Sequence, residues 1–91
     1  MADRKMIHAF YLIDSTMIHI GGLIKVEMQR QGRSVSWLAR QLYCDRRNVY
    51  DIFKRQSIDT QQLLRISQLL GHNFFAYYLS EVNGEGLLSE K

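Results

Sequence analysis

The sequence predicts an all-α protein, a compact bundle of about five helices. Leucine, isoleucine and methionine are frequent, proline is absent, and apolar residues hardly ever alternate with polar ones as they do along a surface strand. With 91 residues, 46% of them hydrophobic, the chain can bury one modest core. We therefore expect one helical domain, at residues 18–82.

The two ends of the chain are less clearly patterned. The apolar residues between Met6 and Ile13 follow no clean period, so a helix, a strand and an extended arm all remain open for residues 1–17. We treat this segment as an N-terminal extension or arm. Residues 83–91 combine turn-forming and charged residues, which predicts a flexible tail.

Four apolar residues at helical spacing predict the first helix of the domain, and Gly32 marks its end. These residues are Ile20, Leu23, Ile24 and Met28. The next segment carries two shorter apolar stripes, which predict two short helices joined by a sharp turn. The first stripe consists of Leu38, Ala39 and Leu42, and the second of Val49 and Ile52. Ser34 or Ser36 can cap the second helix and Asp45 the third, which we expect at residues 46–54.

Two further helices are expected after this pair. Asp59 stands three residues before Gln62, a spacing that predicts the start of a fourth helix, and Gly71 marks its end. The apolar face of this helix consists of Leu63, Ile66, Leu69 and Leu70. Asn73 can cap a fifth helix, which is rich in aromatic residues and extends to Val82.

Positive charge is concentrated in the central third of the chain. The net charge is only +3, but residues 25–55 hold eight Lys or Arg against three acidic residues. The net charge of residues 1–24 is zero, and that of residues 56–91 is −2. From charge alone, a solvated surface explains this segment as well as a phosphate-bearing partner does, but its coincidence with the two short helices favours the partner.

Catalytic, metal-binding and membrane functions find little support in the sequence. The three histidines lie far apart and the acidic residues show no metal-ligand spacing, so we expect no enzyme activity, metal, cofactor or small-molecule ligand. The apolar runs are too short to span a bilayer, and no secretory signal is evident. Cys44, the single cysteine, cannot form an internal disulfide. We therefore expect a cytoplasmic protein.

The order of these parts resembles the XRE family of helix-turn-helix regulators, which includes the phage repressors and Cro. The resemblance covers roughly residues 20–82, and it rests on the Leu38 and Ala39 pair, the turn, and the stretch SIDTQQLLRISQLLG as fourth helix. It implies a lambda-repressor-like DNA-binding domain, as in prokaryotic and phage regulators. The family usually has glycine where Tyr43 stands, because the backbone there tends towards positive φ, at a cost of about 1 kcal/mol for other residues. Packing of the Tyr43 ring could recover that cost.

The resemblance also implies which residues contact DNA, because the third helix of such proteins lies in the major groove. Arg46 and Arg47 match the main base-reading positions, and an arginine fork suits the two acceptors of guanine. Asn48 and Tyr50 are weaker candidates for base reading. Asp51 matches a third base-reading position, but a structural role is favoured, in a salt bridge to Arg47 or Arg55. The candidates for phosphate contacts are Ser36, Arg40, Lys54, Arg55 and Gln56.

The implied function is sequence-specific DNA binding by a transcriptional regulator. We expect a repressor that acts as a homodimer on double-stranded DNA, with the third helices in successive major grooves. The expected dimer surface is aromatic and consists of Phe74, Phe75, Tyr77 and Tyr78. Phe74 and Tyr78 equally suit the core of the monomer. The alternative function is a protein-binding adaptor, such as the antidote component of a toxin and antidote pair.

Overall fold

The computed structural model describes residues 18–84 and confirms the predicted all-α fold, since this part of the chain contains five α-helices and no strand. The helices are α1 (Ile20–Gln31), α2 (Val35–Gln41), α3 (Arg46–Lys54), α4 (Thr60–Leu70) and α5 (Phe75–Gly84). None of the five is both long enough and apolar enough to pass through a membrane. The predicted arm, residues 1–17, lies outside the described residues, as does most of the predicted tail.

The chain divides into two compact units. The first, His19–Phe74, contains α1 to α4. Of the second unit, the described residues are Ile18 and α5. All of the fully buried apolar side chains that are described belong to the first unit, which therefore contains the core that positions α3.

The core of the first unit is built from the predicted apolar stripes of all four helices. Its buried apolar residues are Ile20, Ile24, Met28, Leu38, Ala39, Val49, Ile52, Leu63, Ile66, Leu70 and Phe74. Helix α3 packs against both α1 and α2. Leu23, Leu42 and Leu69, which were also expected on apolar faces, are only half-buried.

The predicted N-caps of α2 and α4 are confirmed. Ser34 Oγ accepts a hydrogen bond from the N–H of Trp37 at 3.0 Å, and Asp59 Oδ1 accepts one from the N–H of Gln62 at 2.7 Å. Each bond satisfies one of the N–H groups that the first turn of a helix leaves without an intrahelical partner. Asp45 precedes α3 as expected, but its side chain makes no capping hydrogen bond, so that part of the prediction is wrong.

The remaining helix ends use glycine and histidine. Gly32 and Gly71 end α1 and α4 with φ values of 73° and 62°, a left-handed conformation that glycine adopts without the steric cost of a Cβ atom. At the start of α1, His19 Nδ1 accepts a hydrogen bond from the N–H of Gly22 at 3.0 Å. Histidine is not among the usual capping residues, so the sequence did not suggest this cap.

The start of α1 lies directly on the backbone at the end of α3. The N–H of Gly21 donates to the carbonyl of Arg55 at 3.0 Å, and the N–H of Ile20 donates to the carbonyl of Gln56 at 3.1 Å. A Cβ atom at position 21 would overlap the carbonyl oxygen of Ile52 and would lie 2.7 Å from that of Arg55. Only glycine permits this approach of two backbones.

Glu27 is the centre of a buried polar cluster that links α1 to the end of α4. The residue is 6% exposed, and its carboxylate accepts hydrogen bonds from Arg30 and, at 2.7 Å, from Gln31 Nε2. Gln31 Nε2 also donates to the carbonyl of Leu70 at 2.8 Å, and His72 Nδ1 lies 3.7 Å from the Glu27 carboxylate. The hydrogen bonds from Arg30 and then Gln31 lower the pKa of Glu27 to about 2.

We expect Gly21→Ala to destabilise the fold by at least about 2 kcal/mol, because the added methyl group meets backbone carbonyls that cannot rotate away. Gly22→Ala is the matched control, since its Cβ would meet only the His19 side chain, at 3.2 Å. Thermal or urea denaturation of both variants measures the difference. Equal stabilities for the two variants would contradict the close approach at Gly21.

We expect Glu27 to make the stability of the protein depend on pH in the acid range. Because its pKa falls from 4.5 to about 2 on folding, its contribution to stability is complete above pH 4.5 and is lost as the pH falls towards 2. Glu27→Gln should therefore be less stable than the parent at neutral pH, and the difference should shrink in acid. Urea denaturation at several pH values measures this, and a difference independent of pH would argue against it.

Candidate nucleic-acid interface

Helices α2 and α3 are joined by a four-residue turn, residues 42–45. The turn folds back on α2, because the N–H of Tyr43 donates to the carbonyl of Arg40 at 3.2 Å and that of Cys44 to the carbonyl of Ala39 at 3.0 Å. These bonds satisfy carbonyls that the last turn of α2 would leave without a partner. The turn is therefore a fixed corner.

Tyr43 adopts the left-handed conformation that its position predicted. Its φ is 56°, and it is the single residue other than glycine with a positive φ among residues 18–84. Its side chain is 89% exposed, so the expectation that packing of the ring recovers the backbone cost is wrong. The turn therefore keeps its strain, and its aromatic ring stands in solvent.

The corner is also fixed from α4. Arg65 donates a hydrogen bond to the carbonyl of Gln41, the last residue of α2, at 3.2 Å. A cation at the carboxyl end of a helix is favourable, because the carbonyls there carry partial negative charge. No local pattern predicts this contact, since the two residues lie 24 positions apart.

Helix α3 turns one face inward and one outward. Val49 and Ile52 are buried, whereas the base-reading candidates on this helix are all exposed. By helical periodicity, Arg47 and Asp51 lie on the face opposite the buried pair. Arg46 is the first residue of α3 and so lies at its tip.

Tyr50, on the outer face of α3, is held on one side by another aromatic ring. The Tyr50 side chain is 51% exposed, and its ring meets that of Phe53 edge to face at a centroid distance of 6.1 Å. Aromatic rings prefer this arrangement to a face-to-face stack. The contact limits where the Tyr50 hydroxyl can reach.

Asp51 is not held in the salt bridge that the sequence favoured. Within the part of the chain that the structure describes, Asp51 forms no ion pair with Arg47, Arg55 or any other residue. It lies instead in a groove of about 650 Å³ beside α3, whose lining also includes Arg55, Asp59 and Arg65. The favoured structural role is therefore wrong, and Asp51 remains a candidate base-reading residue.

The phosphate candidates lie on α2 and just beyond α3. Arg40, Lys54, Arg55 and Gln56 are exposed, and Ser36 is half-buried. The backbones of Arg55 and Gln56 are fixed by their hydrogen bonds to the start of α1. The same contact therefore positions both the end of α3 and the backbone of Arg55, from which its cationic side chain extends.

The aromatic residues expected to form a dimer surface differ in burial. Phe74 is fully buried, and its ring lies against that of His72 at a centroid distance of 4.7 Å, so it is a core residue and the prediction that it belongs to a dimer surface is wrong. On α5, Phe75, Tyr77 and Tyr78 are half-buried, and burial raises the pKa of Tyr78. The exposed apolar residues of α5 that sequence reasoning missed are Leu79 and Val82.

The described residues offer no site for metal chemistry and no activated thiol. Within residues 18–84, no group of three or more His, Cys, Asp or Glu side chains could hold a metal ion. Burial raises the pKa of the Cys44 thiol, and Asp45 raises it further. Both effects disfavour the thiolate, which is the reactive form.

The cationic side chains of His19–Phe74 fall into two groups. Arg30 is bound to Glu27, Arg33 lies 4.2 Å over the ring of Trp37, and Arg65 is bound to Gln41. The side chains of the second group make no ion pair, hydrogen bond or ring contact with any described residue. This group consists of Lys25, Arg40, Arg46, Arg47, Lys54 and Arg55. Five of these six residues belong to α2, α3 or the position after α3.

Comparisons with known proteins supply no relative for this chain. No protein-family model, no curated protein and no solved structure matches it. The geometry and charge of the surface around α3 are therefore the observations that bear on its role.

Proposed function

We propose that this protein is a sequence-specific DNA-binding transcriptional regulator of the XRE helix-turn-helix type. The observation that carries the proposal is the pair Arg46 and Arg47 at the start of α3, exposed and with no partner among the described residues. An unpaired arginine fork is the group best suited to the O6 and N7 atoms of guanine in the major groove. A structural arginine would instead have a partner in the fold, as Arg30 does in Glu27.

The charge around α3 supports DNA as the partner. Arg40 on α2 and Lys54 and Arg55 at the other end of α3 are exposed and unpaired among the described residues, so they can neutralise phosphates. Contacts of this kind position a helix in the groove, and side chains on its outer face then read bases. In this arrangement Arg46 and Arg47 read guanine, and Asp51 accepts from cytosine.

The way α3 is anchored also suits base reading. Sequence discrimination requires side chains held in a fixed position, which helices supply better than loops do. Helix α3 packs on α1 and α2, and the close approach of Gly21 fixes the backbone at its end. An adaptor that wraps a flexible partner has less need of such anchoring.

Binding as a homodimer completes the proposal. A single module of this size has a small contact area, and two copies with their α3 helices about 34 Å apart would double both the contact area and the length of DNA read. Phe75, Tyr77 and Tyr78 on α5 are the remaining aromatic candidates for the dimer contact. The proposed setting is the cytoplasm, where such a regulator meets DNA, with repression as the proposed mode.

A protein-binding adaptor, such as the antidote of a toxin and antidote pair, is the second candidate. The observation in its favour is the exposed apolar surface on α5, where Leu79 and Val82 are 56% and 45% exposed. Exposed apolar side chains that lie close together favour contact with another protein. The adaptor hypothesis assigns no role to the unpaired arginines of α3, which is why DNA binding ranks first.

Replacement of Arg46 and Arg47 by alanine should abolish sequence preference. The test begins with enrichment of binding sequences from a random DNA pool, followed by affinity measurements on the selected and an unrelated duplex. We expect the double variant to lose about 1 to 3 kcal/mol of discrimination for each bidentate contact removed.

Arg33→Ala is the control, because it removes one positive charge at a guanidinium that stacks on Trp37. It should retain the sequence preference of the parent. If the double alanine variant binds the selected site as tightly as the parent does, α3 does not read bases. If no sequence is enriched by the parent, the adaptor becomes the leading hypothesis.

A further inference from the structure

The turn explains the positive φ of Tyr43, but it does not explain why an exposed aromatic residue stands there in place of glycine. A residue with a Cβ atom at φ 56° is destabilised relative to glycine, and 89% exposure of the side chain means that packing supplies little in return. Strained residues are concentrated at functional sites. A bound partner is the source of compensation that the described residues leave open.

The position of Tyr43 indicates which partner this is. Tyr43 lies three residues after Arg40 and three residues before Arg46. Its N–H donates a hydrogen bond to the carbonyl of Arg40. Its side chain borders two concave surfaces, the groove beside α3 and a second one that includes Arg40 and Asn48. The phenol thus stands on a ridge at the corner between α2 and α3.

The charge near this ridge favours a polyanion over a protein. Arg40, Arg46 and Arg47 are exposed and unpaired among the described residues, and Arg55 and Arg65 line the groove that Tyr43 borders. The exposed carboxylates nearby are fewer, namely Asp45 in the turn and Asp51 and Asp59 in the groove. Tyrosine hydroxyls are regular donors to DNA phosphates.

We propose that Tyr43 contacts the DNA backbone, with its hydroxyl donating a hydrogen bond to a phosphate beside the major groove that α3 enters. This proposal rests on the proposed DNA-binding function and adds a positioning residue to it. The contact fixes the corner of the two helices against the backbone of any duplex. Nothing in this role distinguishes one base sequence from another.

Two substitutions at position 43 separate this role from a role in folding. Tyr43→Gly removes the side chain and the strain together, so it should bind DNA about tenfold more weakly although it unfolds at a higher urea concentration than the parent. Tyr43→Phe keeps the ring and the Cβ atom but loses the hydroxyl, so it should weaken binding by a similar factor at unchanged stability. A purely structural role would move affinity and stability in the same direction.

The measurement is the dissociation constant on the selected duplex and on an unrelated duplex, at several salt concentrations. Because the contact is to the backbone, both duplexes should lose affinity by the same factor, and because a phenol is uncharged, the salt dependence should stay that of the parent. Parent-like affinity of either variant overturns the phosphate contact, and for Tyr43→Gly it points to a protein partner at the turn. A parent that binds neither duplex at any salt concentration overturns the DNA-binding function itself.

Discussion

The orientation of α3 depends on the contact between its end and the start of α1. Two N–H groups from the first turn of α1 bond to the carbonyls of Arg55 and Gln56, and the missing Cβ of Gly21 lets the two backbones meet. These N–H groups have no partner within their own helix, so the contact satisfies both helix ends at once. Because the inner face of α3 also packs on α1 and α2, its outer face is presented to solvent in one orientation. A rigid outer face is the property that a base-reading helix requires.

The cationic side chains divide into those that bind a partner within the fold and those that are exposed around α3. Arg30, Arg33 and Arg65 each bind a partner within the fold. Arg30 pairs with Glu27 on α1, Arg33 stacks on Trp37 of α2, and Arg65 bonds to the carbonyl of Gln41 at the carboxyl end of α2. Arg46 and Arg47 have no such contact among the described residues. Net charge alone does not distinguish the two groups, and a small protein with a basic surface need not bind nucleic acid. The informative property is that the unpaired cations cluster around one helix.

The helices were predictable because their signals are local, whereas the contacts between helices were not. Asp59 and Gly71 mark the ends of α4 within its own sequence, and both act as expected. The close approach at Gly21 depends on backbone more than 30 residues away, and the Glu27 cluster depends on a carbonyl of α4. No periodicity reports such distant partners. At the candidate site, the left-handed turn at Tyr43 was predictable from its position, but the exposure of the ring depends on what surrounds it in space.

The proposed DNA-binding function requires that arginine side chains at the start of α3 meet guanine in the major groove. Methylation interference probes this contact, because dimethyl sulfate places a methyl group on guanine N7, the atom that an arginine fork contacts. We expect methylation of guanines in two half-sites, about one helical turn apart, to exclude those duplexes from the bound fraction. A bound fraction that tolerates methylation at every guanine of the selected site would show that the arginines do not read guanine.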